Sequence, residues 1–282
     1  MSDRSTRAVA LRSGSSGNLY FIERGGTRLV LDCGINGRSF RSAMTEAGVA
    51  EDEINALSGI LITHEHSDHI SGLGVVLRRH HLPLYITEKT LKAALPKIGA
   101  FDPDLIHLIR PGDVFEIGNF QIEAVPTSHD AVEPLAFTFY DGHRKIAFCT
   151  DLGIFTQTVE TALSGSQLVF LEANYEPRLL EYGPYPYVLK ERIRGERGHL
   201  SNQASGESAL KLLRMGMRHV VLSHLSKENN FPALAEQSVT SVLLEGGAAS
   251  GKDYQLDIAK RYHATEPICF DDVPAFSETI HL

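Results

Sequence analysis

The segment "GILITHEHSDHISGLG", residues 59–74, places His64, His66, Asp68 and His69 within six positions. Imidazole and carboxylate are the side chains that bind Zn²⁺, Mn²⁺ or Fe. Four of them in one turn would be a poor way to build a core or a solvated loop. His64 and His66, two apart on an extended or turning segment, point the same way. Asp68 and His69 begin the next helix and project from its first turn. Two and two suit a pair of adjacent ions better than one crowded ion. Ions about 3.5–4 Å apart are a recognised device for phosphoester chemistry. Two ions need further ligands, and one aspartate can bridge them. His129, Asp151 and His224 are the candidates.

These residues share a position. Asp32 follows "RLVL", His64 follows "GILIT", Asp151 follows "KIAFCT" and His224 follows "HVVLS". Each preceding run is short, rich in Val, Ile, Leu and Phe, and reads as a strand. Further strands are expected at 7–12, 18–23, 83–86, 120–125, 135–140, 167–172 and 254–259. Helices are expected between some of them. One spans "SDHISGLGVVLRRHH". A second starts at the N-cap Ser201 and stops at Gly216. A third has Pro232 near its start and Gly246–Gly247 after it. Strand ends of an open α/β architecture are where such folds place their sites. Two packed sheets with outer helices follow from the pattern.

Composition bounds the remaining options. The 282 residues are 43% hydrophobic and 22% charged, enough apolar material for a sizeable core. "MSDRSTRAVA" lacks the apolar centre of a signal peptide, and no run is long enough to span a bilayer, so a cytoplasmic protein without a membrane partner is expected. Cys33, Cys149 and Cys269 form no CxxC and read as small buried hydrophobes. The net charge of −8 argues against broad nonspecific nucleic-acid binding, though not against a local basic patch. "RRHH", 78–81, ends a helix before Pro83 and is explained by its favourable pairing with the helix dipole; no metal is assigned to it.

"THEHSDH" resembles the signature of the metallo-β-lactamase superfamily, and "PTSHD", "FCTDLG" and "VLSHLS" follow in that family's order. The resemblance spans nearly the whole chain. It implies a four-layered αββα sandwich of two mixed β-sheets flanked by helices, one domain over 1–282, and two divalent ions, Zn²⁺ and/or Mn²⁺ or Fe. By the same resemblance His64, His66 and His129 hold the first ion. Asp68, His69 and His224 hold the second, Asp151 bridges, and Asp32 supports the site by hydrogen bonding rather than by ligation.

"LRSGSSGN", "YPYVLKERIRGERGHLSN" and "LSHLSKENN" further resemble the YycJ/WalJ branch, described as 5′→3′ DNA exonucleases with a core similar to ribonuclease Z. The resemblance implies a metal-activated hydroxide attacking a phosphodiester, with nucleic acid, DNA with a 5′ end, as the partner. Asp151 orients the hydroxide and Asp68 helps accept its proton. His199, in "GHLSN", protonates the leaving sugar oxygen, a role suited to imidazole. The plain alternative for His199 is a neighbour of the N-cap Ser201. Asp151 and His224 are only 73 positions apart, which leaves no room for the inserted domain of ribonuclease J-type enzymes.

Residues 174–198 are expected to form a lid-like insertion and 264–282 a C-terminal tail. Lys190, Arg192 and Arg194 suit a nucleic-acid backbone, and the nearby Tyr182, Tyr185 and Tyr187 suit stacking on bases. A solvated lid with mixed charge is the plain alternative. Ser13, Ser15, Ser16 and Asn18 offer hydroxyls and amides to a terminal phosphate, although a lone Gly/Ser turn is ordinarily a hairpin loop. The competing functions are an RNA-processing nuclease and a small-molecule metallohydrolase acting on a thioester, lactone or cyclic phosphodiester.

Overall fold

The computed structural model describes residues 5–270. Its elements run β1 (Arg7–Arg12), β2 (Leu19–Arg24), β3 (Thr27–Leu31), α1 (Gly37–Glu46), β4 (Gly59–Leu61), α2 (Ser67–Ile70), α3 (Leu73–His80), β5 (Leu84–Thr87), α4 (Glu88–Ile98), β6 (Ile106–Ile109), β7 (Val114–Ile117) and β8 (Phe120–Pro126). They continue with β9 (Leu135–Tyr140), β10 (Lys145–Cys149), α5 (Gln157–Leu163), β11 (Leu168–Glu172), α6 (Pro177–Tyr182), α7 (Tyr187–Arg194), α8 (Asn202–Arg214), β12 (His219–Ser223), α9 (Pro232–Glu245), β13 (Gln255–Ile258) and β14 (Ile268–Cys269).

They build two mixed seven-stranded sheets flanked by helices, in the orders β14-β1-β2-β3-β4-β5-β6 and β13-β12-β11-β10-β9-β8-β7. In the first sheet β3, β4, β5 and β6 are mutually parallel, and β1 and β2 are antiparallel to their neighbours. In the second, β10, β11, β12 and β13 are parallel. Parallel strands covered on both faces read as continuous apolar runs, and "GIL", "LVFLE" and "HVVLS" are buried at every position.

The described residues divide into two compact units. One holds the chain through Ala124, Ala131–Leu135 and the stretch from Ala259; the other holds the rest. In the first unit Val9, Phe21, Val30, Phe40, Met44 and Leu77 belong to one apolar core. In the second, Ala147, Val169, Leu171, Leu212, Val220 and Val239 belong to another.

Helix ends follow local chemistry. Asn36 Oδ1 accepts from the Arg38 and Ser39 amides at the start of α1. Ser201 Oγ accepts from the Ala204 amide at the start of α8, and Pro232 opens α9.

The helix expected over 67–81 is broken at Ser71–Gly72 into α2 and α3. Gly72 passes so close to Ile35 that a Cβ there would lie 1.8 Å from the Ile35 carbonyl. Segment 174–198 folds as the two short helices α6 and α7. Of the expected tail, Ile268–Cys269 pairs with β1 as an edge strand; residues from 271 onward lie outside the described ones. No helix among the described residues is long and apolar enough to cross a membrane.

Candidate metal centre and catalytic residues

The first unit carries the histidine-rich loop between β4 and α2. Asp32, one residue past β3, is 1% exposed. Its Oδ2 accepts from Nδ1 of His69 at 2.7 Å, and its Oδ1 from the Thr63 amide at 2.9 Å. The Thr63 hydroxyl donates to Asp32 and accepts from Nδ1 of His64 at 2.9 Å. Asp32 thus orients His69 directly and His64 through Thr63. With both Nδ1 atoms protonated, the lone pair of each ring sits on Nε2. That tautomer, fixed by an oxygen behind the ring, is the arrangement metal-binding histidines use. His64 and His69 pack with ring centroids 4.0 Å apart, and His64 and His66 with centroids 4.6 Å apart. Asp68 Oδ2 lies 3.7 Å from His69 Nε2.

Close backbone approach holds this loop. The Asn18 amide donates to the Asp68 carbonyl at 2.8 Å, and the Asn18 side chain donates to His69 Nε2 at 3.0 Å. A Cβ on Gly34 would sit 1.6 Å from that same Asp68 carbonyl, so only glycine fits.

The second unit carries its own group of ligand-type residues. His129 lies beyond β8 and donates from Nδ1 to the Gly198 carbonyl at 2.9 Å. Burial pushes the His129 pKa down, opposed by the Asp151 carboxylate. Asp151 follows β10, and His224 follows β12.

Glu172, the last residue of β11, is fully buried. Its Oε1 accepts from Nδ1 of His199 and from Nδ1 of His224, each at 2.8 Å. Its Oε2 accepts from the Leu152 amide at 3.2 Å and the Leu200 amide at 3.0 Å. Burial raises the Glu172 pKa, but the neighbouring His199 and the hydrogen bonds from both histidines outweigh it and hold the carboxyl below the usual range. Ligand-type atoms of Asp151, Glu172, His199 and His224 all lie within 4.8 Å of one another.

Sequence reading missed Glu172. The available signal was an acidic residue between "LVFL" and an alanine, an unusual position for a solvated carboxylate.

Three site residues share one backbone feature. Asp32, Asp151 and His224 have φ of 59°, 61° and 55°, the left-handed region that non-glycine residues avoid. Each follows a parallel strand and turns its side chain off the strand end. Such strain persists where surrounding structure over-determines it, and it clusters at functional sites.

The donor sets fit divalent metal ions. In His64, His69, His129 and His224, Nδ1 is engaged by an oxygen of a hydroxyl, carboxylate or carbonyl, which leaves the lone pair of each ring on Nε2, met in His69 by the Asn18 side-chain amide. Neither Cys33 nor Cys149 competes: burial pushes both thiols well up, which keeps them protonated.

The expected substrate-contacting residues fall into two groups. Ser13 and Asn18 are buried; the Ser13 hydroxyl bonds with Tyr20 at 2.9 Å and the Asn18 amide with the metal loop. Ser15 and Ser16 stand exposed at the turn. On α7, Lys190 Nζ donates to the Glu181 carbonyl at 2.6 Å. Arg192 pairs with Asp130, and Arg194 with Glu181 and Glu191. Tyr182 and Tyr187 are exposed, whereas Tyr185 packs with Tyr175, Leu180 and Ile193.

Residues 27–225 match the family described as a β-lactamase superfamily domain. The chain belongs to the metallo-β-lactamase superfamily. It is 35% identical over 257 residues to the exodeoxyribonuclease YycJ of Bacillus anthracis, covering 91% of this chain and 94% of that one. It is 33% identical over 258 residues to the exodeoxyribonuclease WalJ of Streptococcus pneumoniae, covering 91% and 95%. The metallo-β-lactamase fold protein YhfI of Bacillus subtilis superimposes with a TM-score of 0.69 at 17% identity, over 93% of this chain and 99% of that one.

Proposed function

We propose that this chain is a metal-dependent phosphodiesterase acting on nucleic acid, and that it degrades DNA from the 5′ end. Similarity to two exodeoxyribonucleases along nine-tenths of the chain supports the substrate class. In this reading His64, His66 and His129 would hold one divalent ion and Asp68, His69 and His224 the other, with Asp151 as the ligand they would share. Bound Zn²⁺, Mn²⁺ or Fe supplies Lewis acidity, which makes water a nucleophile at neutral pH and neutralises phosphate oxygens.

The protein's own groups handle the protons. Asp68 accepts the proton of the attacking water. His199 donates a proton to the departing sugar oxygen. Glu172 accepts from His199 Nδ1 at 2.8 Å and so fixes the orientation of the ring. Arg192 and Arg194 exchange their acidic partners, and Lys190 the Glu181 carbonyl, for backbone phosphates. The three cysteines form no disulfide among the described residues, in keeping with a reducing cytoplasm.

The Glu172–His199 hydrogen bond carries the reading, because a bare metal site for a small-molecule hydrolase does not require a supported acid. The test presents metal-reconstituted protein with end-labelled DNA and RNA. Mononucleotide release from the 5′ end of DNA is expected. No cleavage of either polymer at full metal content would sink the nuclease reading. Preferential cleavage of RNA would transfer it to RNA processing.

A further inference from the structure

The turn Ser13–Asn18 is joined at its base to the metal loop, through the Asn18 bonds to Asp68 and His69. Its tip is shaped by Gly14 and Gly17, with φ of 120° and 141°. The turn's own bonding uses the amides of these glycines, Gly17 to the Gly14 carbonyl and Gly14 to the Asn18 side chain. Ser15 and Ser16 stand exposed at the tip.

A segment from the far end of the chain meets this tip. "KRYH", residues 260–263, follows β13 and has no role in the fold's cores. It is strapped to β1, where the Thr265 amide donates to the Ala10 carbonyl at 2.9 Å and the Ala10 amide to the Thr265 hydroxyl at 3.1 Å. Arg261 Nη1 lies 3.4 Å from Ser15 Oγ and 3.3 Å from Ser16 Oγ. Tyr262 beside it is 57% exposed, and Lys260 and His263 add to the basic character of the segment.

A guanidinium converging with two hydroxyls on a glycine-shaped turn is the chemistry that recognises a phosphate monoester. An exposed tyrosine next to it is the chemistry that stacks on a nucleobase. We propose that Arg261, Ser15 and Ser16 bind the 5′-terminal phosphate of the substrate, with Tyr262 against the terminal base. This rests on the nuclease reading and adds to it a requirement for a phosphorylated end. The Asn18 bonds to Asp68 and His69 join the base of this turn to the histidine-rich loop.

The test compares kcat/KM on single-stranded DNA carrying a 5′-phosphate or a 5′-hydroxyl, using full-length, metal-loaded protein. Wild type should prefer the phosphate by about tenfold or more, the scale of one charge-assisted contact set. In Arg261→Ala the ratio should fall to near one, and in Arg261→Lys much of it should remain. The readout is a ratio, so a general folding defect lowers both rates and leaves it in place. A wild type indifferent to the end group, or an Arg261→Ala that keeps the preference, overturns the proposal while leaving the nuclease reading standing. If wild type cleaves neither substrate, that reading fails. Fluorescence anisotropy of the same two labelled oligonucleotides then decides the end site by itself: tighter binding of the phosphorylated strand, abolished by Arg261→Ala, supports it, and equal binding removes it.

Discussion

Glu172 Oε1 accepts from Nδ1 of His199 at 2.8 Å, and the same oxygen accepts from Nδ1 of His224 at 2.8 Å. One buried carboxylate therefore governs two histidines that the proposed mechanism uses differently, one as acid and one as metal ligand. Asp32 stands in the same relation to His69 and, through Thr63, to His64. Each unit has its own buried carboxylate behind its own histidine pair.

The double role of Glu172 separates two variants. His199→Ala should keep its metal and lose about 10²–10⁴-fold in kcat on DNA, the range for a general acid. Glu172→Gln should lose activity and also bind metal about 10–100-fold more weakly, because a partner behind a ligand histidine is removed. Metal content after dialysis against a chelator, measured beside kcat, distinguishes them. Equal metal retention in both would show that Glu172 does not support His224.

Asp32 makes a parallel prediction in the first unit. Asp32→Asn leaves His69 Nδ1 without its anionic acceptor and should weaken metal binding by roughly 10–100-fold. Thr63→Val, which removes only the relay to His64, should cost less. Competition with a chromogenic chelator measures both, and the order of the two variants is the content of the prediction.

Gly34→Ala forces a methyl to within 1.6 Å of the Asp68 carbonyl. Backbone cannot yield as a flexible side chain does, so the loss of stability should reach about 3 kcal/mol or more. Urea denaturation, or failure to recover soluble protein, reports it. Gly26→Ala, where a Cβ meets nothing within 4 Å, is the control; its φ of 83° leaves only backbone strain, about 1 kcal/mol.

His80 sets a pH dependence away from the metal site. Burial pushes its pKa down, with Arg79 adding to the effect, and its Nδ1 bonds with Asn55 Oδ1 at 2.6 Å. The unfolded chain takes up a proton near pH 6.5 while the folded chain resists it. The contribution of His80 is thus fully present above about pH 6.5 and is lost as pH falls toward the folded pKa. Urea midpoints at pH 7.5 and 5.5 should differ less in His80→Gln than in wild type. An unchanged difference would show that His80 titrates alike in both states.

Sequence alone marked the candidate metal loop, because four coordinating side chains in six positions have no other economical use. It also placed Asp32, Asp151 and His224 at strand ends, since apolar runs bounded by polar residues mark strands without any knowledge of packing. The core strands were legible for the same reason. β6, β7 and the helices α1, α4 and α5 were not singled out: "IHLI" and "VFEI" are short and half exposed, and such runs lack a clear period. The break at Gly72 is set by the Ile35 carbonyl packed against it, a contact that local sequence does not encode.

Only the tertiary structure decided what stands behind the ligands. Glu172 and His199 are 27 positions apart, and Ser15 and Arg261 are 246 apart. Residue type and local period carry no information on which distant strand end a side chain meets. That is set by strand order and register, through β11 lying parallel beside β12 and the segment after β13 returning to β1. Local chemistry marked the candidate metal ligands; long-range pairing chose the groups that orient them.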